Sequence, residues 1–109
     1  MTGFDDREKS FESKYKQDQE KLFRITSRRN RLLGLWAANL FGMPDNQALD
    51  YAKEVVLADF EEPGDDDVVR KVLKDFAGRS LDMDERRLRK EMDRLMTEAA
   101  RQIEDEAGR

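Results

Sequence analysis

The sequence contains neither cysteine nor histidine among its 109 residues. The absence of cysteine excludes disulfides and thiolate chemistry, and the absence of histidine removes the commonest general base and transition-metal ligand. No apolar run approaches the roughly 18 residues of a membrane span, and the charged stretch from Phe4 to Lys9 does not resemble a signal peptide. We therefore expect a cytoplasmic protein without catalytic or metal-binding residues and without direct membrane insertion.

Charge is plentiful but nearly balanced. Acidic and basic side chains number 25 and 21, which leaves a net charge of −4. This balance suits a solvated helical surface crossed by ion pairs, and it gives no general attraction to nucleic acid or anionic lipid. Phosphate-binding loops of the G-x-x-x-x-G-K-[ST] or G-x-G-x-x-G type do not occur. No enzyme activity, cofactor or nucleic-acid partner is expected.

Glycine and proline divide the chain at three places, near Gly42, Pro63 and Gly78. Every segment between these breaks has helical rather than strand periodicity. The first segment keeps its apolar residues on one helical face from about Phe4 to Phe41. The pattern predicts an all-α fold, a four-helix bundle in which the first helix is unusually long.

The later helices have recognisable starts and apolar stripes. The second is predicted to begin at Pro44 with Asp45 or Asn46 as its N-cap, and the fourth near Asp82 with Glu85 as a capping-box partner. The residues predicted to face inward are Leu22, Ile25, Leu32, Leu33, Trp36, Ala37 and Leu40 in the first helix, Ala48, Leu49, Ala52, Val55, Val56 and Phe60 in the second, Val68, Val69, Val72, Leu73 and Phe76 in the third, and Leu88, Met92, Leu95, Met96, Ala99 and Ile103 in the fourth.

The first helix is too long for the rest of the bundle to cover. At 1.5 Å per residue it spans roughly 55 Å, against roughly 22 Å for the second helix. Its N-terminal half is also poor in apolar residues, with Phe4, Phe11 and Tyr15 standing among charges. We therefore predict two parts, an overhanging partner-binding arm (residues 1–21) and a four-helix bundle domain (residues 22–109). The three aromatics have the i, i+7, i+11 spacing of anchors that bind in a groove.

An acidic run extends from Glu61 to Asp67 around Pro63 and Gly64. It lacks the alternating acidic residues and the final glutamate of a calcium-binding loop. Carboxylates in the first turn of a helix are stabilised by the helix dipole. We interpret the run as the start of the third helix at Asp65 and expect no metal site.

Basic residues also recur at helical spacing along the first helix, at Lys21, Arg24, Arg28 and Arg31. Such a stripe could grip the phosphates of a nucleic acid, or it could pair with acids on the fourth helix. A helical adaptor or nucleic-acid-binding module that uses this stripe is therefore the alternative function. Arg29 falls on the apolar stripe itself, which indicates snorkelling or a buried ion pair.

One long motif resembles a known family. The run from Arg28 to Ala38, RRNRLLGLWAA, is similar to the signature of the zeta subunits of alphaproteobacterial F-type ATP synthases. Three shorter stretches match that family in the same order. They are Phe4–Glu8 with Phe11–Lys14, then Tyr51–Val56, then Ala58–Glu62.

The resemblance implies an ATPase inhibitor, a monomer when free, whose N-terminal segment blocks ATP hydrolysis. It implies that the arm inserts between the alpha and beta catalytic subunits near the central-stalk rotor, and that the protein is peripheral to the inner membrane through ATP synthase. The partner-binding residues that follow are Phe4, Asp5, Asp6, Arg7, Glu8, Phe11, Glu12, Lys14 and Tyr15.

Overall fold

The chain folds into four α-helices. A computed structural model describes residues 3–62 and 64–108, and in the first helix it describes the side chains from Lys14 onward. The helices are α1 (Gly3–Leu40), α2 (Asp45–Ala58), α3 (Asp66–Gly78) and α4 (Glu85–Ala107), and no strand occurs in the described ranges. The all-α prediction is confirmed, as are the breaks near Gly42 and Gly78. The third break lies between α2 and α3, and Pro63 itself is outside the described residues.

Helix α1 is the spine against which the other helices pack. Helix α2 runs back along it, so that Phe60, just past the end of α2, lies 5.8 Å from Phe23 between ring centroids. Helix α4 returns along the same helix, and its Glu106 accepts a 2.8 Å hydrogen bond from Arg28. Because α1 is much longer than its neighbours, the molecule measures 66 × 30 × 21 Å.

All four helices contribute to one apolar core. Its buried members are Leu33, Ala37, Ala38, Tyr51, Val55, Val68, Val69, Val72, Phe76, Leu88, Met92 and Leu95. Most residues predicted to face inward from α3 and α4 are buried, and Leu73 and Met96 are half-buried. Trp36 is also half-buried, and it packs at the core's edge with its ring 6.0 Å from that of Phe76.

The predicted inward face of α2 is wrong in part. Leu49 and Phe60 are exposed, whereas Tyr51 and Ala58 are buried. The buried face is therefore turned around the helix axis from the predicted stripe. In α1, Leu22 and Leu40 are likewise exposed rather than buried.

The orientation of α2 follows from a close contact with α1 at Gly34. An added Cβ at Gly34 would lie 2.5 Å from the Cα of Ala52, closer than real Cβ atoms come. Glycine therefore allows the two backbones to touch, and the small Ala38 and Ala52 are buried beside it. Since the closest approach is at Ala52, the neighbouring Tyr51 and Val55 turn inward with it.

The phenol of Tyr51 also joins α2 to α3. Its hydroxyl donates a 2.7 Å hydrogen bond to Asp75, whose carboxylate also accepts a 3.1 Å bond from Lys71. Burial and the bond to Asp75 raise the pKa of Tyr51 well above its usual range. Tyr51 therefore buries its ring while its polar end is satisfied, which an apolar stripe does not predict.

The helix ends differ in detail from their predicted caps. Pro44, not Asp45 or Asn46, is the N-cap of α2. Asp84 caps α4, accepting a 2.7 Å bond from the backbone N–H of Arg87, so the predicted cap at Asp82 and the capping box with Glu85 are wrong.

The C-terminal ends of α1 and α3 share one geometry. Each closes with the backbone hydrogen bonding of a Schellman motif. After α1 the N–H of Met43 donates to the carbonyl of Ala38, and after α3 the N–H of Leu81 donates to the carbonyl of Phe76. The motif needs a residue with positive φ, and this is Gly42 after α1 and Ser80 after α3. Gly78, near which the sequence predicts a break, is the last residue of α3.

The contact at Gly34 yields the first testable prediction. Gly34→Ala should lower the free energy of unfolding by about 1–3 kcal/mol, typical of overpacking, although alanine favours a helix over glycine by about 1 kcal/mol. Urea denaturation measures the difference. Gly78→Ala is the matched control, because a Cβ there would meet nothing within 4 Å. If both variants are equally stable, the α1–α2 contact is not as tight as described.

Candidate partner-binding arm

The predicted arm forms the N-terminal part of α1. Its backbone is helical from Gly3 and continues into the bundle without interruption. Lys14 is exposed, and Tyr15 exposes 62% of its surface. The other predicted binding residues have side chains outside the described part of the structure. They are Phe4, Asp5, Asp6, Arg7, Glu8, Phe11 and Glu12.

Every described side chain from residue 14 to residue 20 is exposed. Lys21 is the first described side chain of α1 to form an ion pair with another helix, and its partner is Glu104 of α4. Full burial begins only at Arg29 and Asn30. Tyr15 is thus an aromatic side chain that no described part of the bundle covers.

Two of the four members of the basic stripe form ion pairs with α4. Lys21 pairs with Glu104, and Arg28 donates to Gln102 and Glu106 on α4 at 2.8 Å each. For these two residues the structure shows the second alternative given by the sequence, pairing with acids on the fourth helix. Arg24 and Arg31 are exposed.

Arg29 lies where α1 enters the bundle, and its buried guanidinium forms an ion pair with a partly exposed carboxylate. The residue is only 3% exposed, and its guanidinium makes two bonds to Asp65, of 2.7 and 3.3 Å. Its Nε donates a third bond, of 2.9 Å, to the side chain of Asn30. A buried guanidinium that lost its partner would be strongly destabilising. The pair therefore fixes the start of α3 against α1. Of the two interpretations of Arg29, the structure shows the ion pair, with Arg29 buried and Asp65 partly exposed.

Carboxylates of the acidic run at the start of α3 form ion pairs with arginines. Asp67 and Glu62 both pair with Arg70, and Asp66 accepts a 2.9 Å bond from Arg89 of α4. Asp66 and Asp67 also lie in the first turn of α3, as expected from the helix dipole. These ion pairs give the run a structural role.

Asp59 faces the same polar cluster from the end of α2. Burial raises the pKa of its carboxyl, the nearby Arg29 opposes that rise, and Asp65 adds to it. Because the pKa is higher in the folded chain, ionisation of Asp59 costs stability as the pH rises from the usual aspartate value through the raised one.

Asp59→Asn should therefore stabilise the chain at neutral pH, and this advantage should shrink as the pH falls toward the ordinary aspartate pKa. Urea unfolding of both proteins between pH 4 and pH 7.5 measures the difference. Asp50→Asn, an exposed change on the same helix, should leave stability nearly unchanged. A variant less stable than the parent at pH 7 would show that the attraction to Arg29 outweighs the cost of burial.

Comparison with known families decides the identity. The family model for ATPase inhibitor subunit zeta matches residues 1–102. The chain belongs to this family. The match spans the arm and all but the last few residues of α4, so the zeta-subunit family covers both predicted parts.

A solved structure supports the fold of this zeta-subunit family member. It is a solution NMR structure of a protein that is 45% identical, with a TM-score of 0.69. The alignment covers 77% of this chain and 95% of that one. Comparison with curated proteins finds no match.

Family membership makes the chain an ATPase inhibitor subunit, a regulatory protein. It also implies that ATP synthase is the partner. Among the helices of the described ranges, none is both long and apolar enough to cross a membrane.

Proposed function

We propose that the chain inhibits ATP hydrolysis by F-type ATP synthase by inserting its N-terminal arm between an alpha and a beta catalytic subunit, near the rotor stalk. The bundle acts as a handle that holds the arm, and the inserted helix blocks rotation in the hydrolytic direction. Aromatic side chains of the arm become buried as anchors, and its charged side chains pair with the two subunits. The chain itself supplies no catalytic group.

The exposure of Tyr15 on an uninterrupted helix is the observation that carries this proposal. A large aromatic that is 62% exposed leaves much of its apolar surface in water, and burial in a partner would recover that free energy. The helix that holds it is fixed at its base by the ion pair of the buried Arg29 with Asp65. The arm is thus presented by a rigid support, which lowers the entropy cost of binding.

The alternative of nucleic-acid binding is less well supported by the stripe's contacts. Lys21 and Arg28 already neutralise acids on α4, so phosphates would have to displace those partners. Binding to nucleic acid would weaken steeply with rising salt. A salt titration of binding to duplex DNA and to the synthase therefore distinguishes the two functions.

Deletion of residues 1–18 should abolish inhibition of ATP hydrolysis and leave the melting temperature nearly unchanged. The described side chains of this segment are exposed, so their removal uncovers little core. The test pairs a hydrolysis assay on purified synthase with a melting curve of the truncated chain. Inhibition that survives the deletion would place the inhibitory site in the bundle, and a collapse of the melting temperature would show that the segment belongs to the core.

A single substitution tests the anchor role directly. Tyr15→Ala should weaken inhibition by about 2 kcal/mol of binding free energy, as expected for an aromatic hot spot, without changing the melting temperature. Tyr15→Phe keeps the ring and should retain most of the inhibition. The inhibition constant of each variant in a steady-state hydrolysis assay gives the comparison. Equal constants for the parent and the alanine variant would remove Tyr15 from the interface.

A further inference from the structure

An apolar groove opens between α1 and α2, lined entirely by residues of the bundle domain. It has a volume of about 500 Å³. Leu49, Ala52, Val56 and Leu57 of α2 supply its apolar surface, and Arg31 of α1 and Lys53 of α2 supply its charges. No part of the described chain fills it.

The groove continues as a stripe along α2. Leu49 is 46% exposed, Leu57 64% and Phe60 60%. The spacing of eight residues places Leu49 and Leu57 on one side of α2, and Phe60 follows two residues past the end of the helix. From Leu49 to Leu57 the stripe is about 12 Å long, just over two helical turns. Two turns of exposed apolar side chains, extended by Phe60, match the length of a short partner helix bound in a groove.

The charges at the groove are free to meet a partner. Most arginines of the bundle are paired with acids, as Arg28, Arg29 and Arg70 show. Arg31 and Lys53 are exposed and form no ion pair with any described side chain. An apolar groove bordered by two cations that no described carboxylate neutralises, on a chain whose net charge is −4, is complementary to an apolar surface bordered by carboxylates.

A second copy of the chain fits the groove poorly. In a two-fold dimer the same surface lies on both sides of the interface, so both copies would bring Arg31 and Lys53 to it, and the groove lining offers no carboxylate to pair with them. Like charges facing each other across an interface oppose binding. The occupant is therefore a different protein with acidic side chains beside its apolar contacts.

We propose that this groove is a second docking site, separate from the arm, for an amphipathic acidic helix on the catalytic sector of ATP synthase. This inference rests on the proposed function, because it takes the synthase as the partner. Leucine-type side chains of that helix would pack on Leu49 and Leu57, and its carboxylates would pair with Arg31 and Lys53. The bundle would then add affinity of its own to that of the arm.

The test measures binding of full-length variants to the purified catalytic sector of the cognate synthase, together with inhibition of ATP hydrolysis. Leu57→Gln should raise the dissociation constant about tenfold. Leu40→Gln is the matched control, because Leu40 is 47% exposed and lies outside the groove; it should change binding by less than about twofold. Leu57 is more exposed than Leu40, so both variants should fold, and a melting curve checks this.

A second variant tests the charges. Reversing both cations, with Arg31→Glu and Lys53→Glu together, should weaken binding by at least as much as Leu57→Gln, and the loss should shrink as salt is added, because ions screen exposed charges. Both results together would support the docking site.

The outcomes separate the two proposals. If the parent chain binds and inhibits, and the groove variants bind as tightly as Leu40→Gln, the docking site is overturned and the inhibitory arm stands. If the parent chain neither binds nor inhibits, the proposed function fails and the docking site fails with it. A concentration-dependent dimer in sedimentation that Leu57→Gln abolishes would overturn the proposal in favour of a second copy in the groove.

Discussion

The arrangement of the bundle depends on the backbone contact between Gly34 and Ala52. Because no side chain separates α1 from α2 at this point, the closest approach and the rotation of α2 are both fixed there. Tyr51 and Val55 turn into the core as a result, and Tyr51 reaches Asp75 on α3. The same rotation leaves Leu49, Leu57 and Phe60 on the surface. The core and the apolar groove are therefore two consequences of one contact.

The helices themselves were predictable from the sequence because their signals are local. Glycine and proline mark the breaks, and stripes at helical spacing identify the inward faces of α3 and α4, where Val72 and Leu88 are fully buried. The rotation of α2 was not predictable, since it depends on which residue of α1 is small enough to be touched. The predicted helix caps were wrong for a related reason. Two aspartates precede α4, and only the loop geometry selects Asp84 over Asp82.

The binding surfaces were predictable to different degrees. The arm stands out because its aromatics are isolated among charges, and Tyr15 is indeed exposed. The burial of Arg29 was suggested by its place on the apolar stripe, but its partner was not, because Asp65 lies 36 residues away. The groove had only a weak signal in the sequence. Leu49 fits the predicted inward stripe of α2 although Leu57 lies outside it, and only the tertiary packing shows that both leucines face water.

The continuity of α1 links the arm and the bundle in angular register. No glycine or proline occurs between Phe4 and Leu33, and the helix runs unbroken from Gly3 to Leu40. Each residue turns an α-helix by about 100° and advances it by 1.5 Å. Inserting one residue between Tyr15 and Lys21 would therefore swing the arm's anchors by more than a quarter turn relative to the bundle. Inserting seven would bring them back to within about 20° of their original direction. The number of residues in this helix is thus a structural parameter in its own right, because it sets the direction in which the bundle presents the arm.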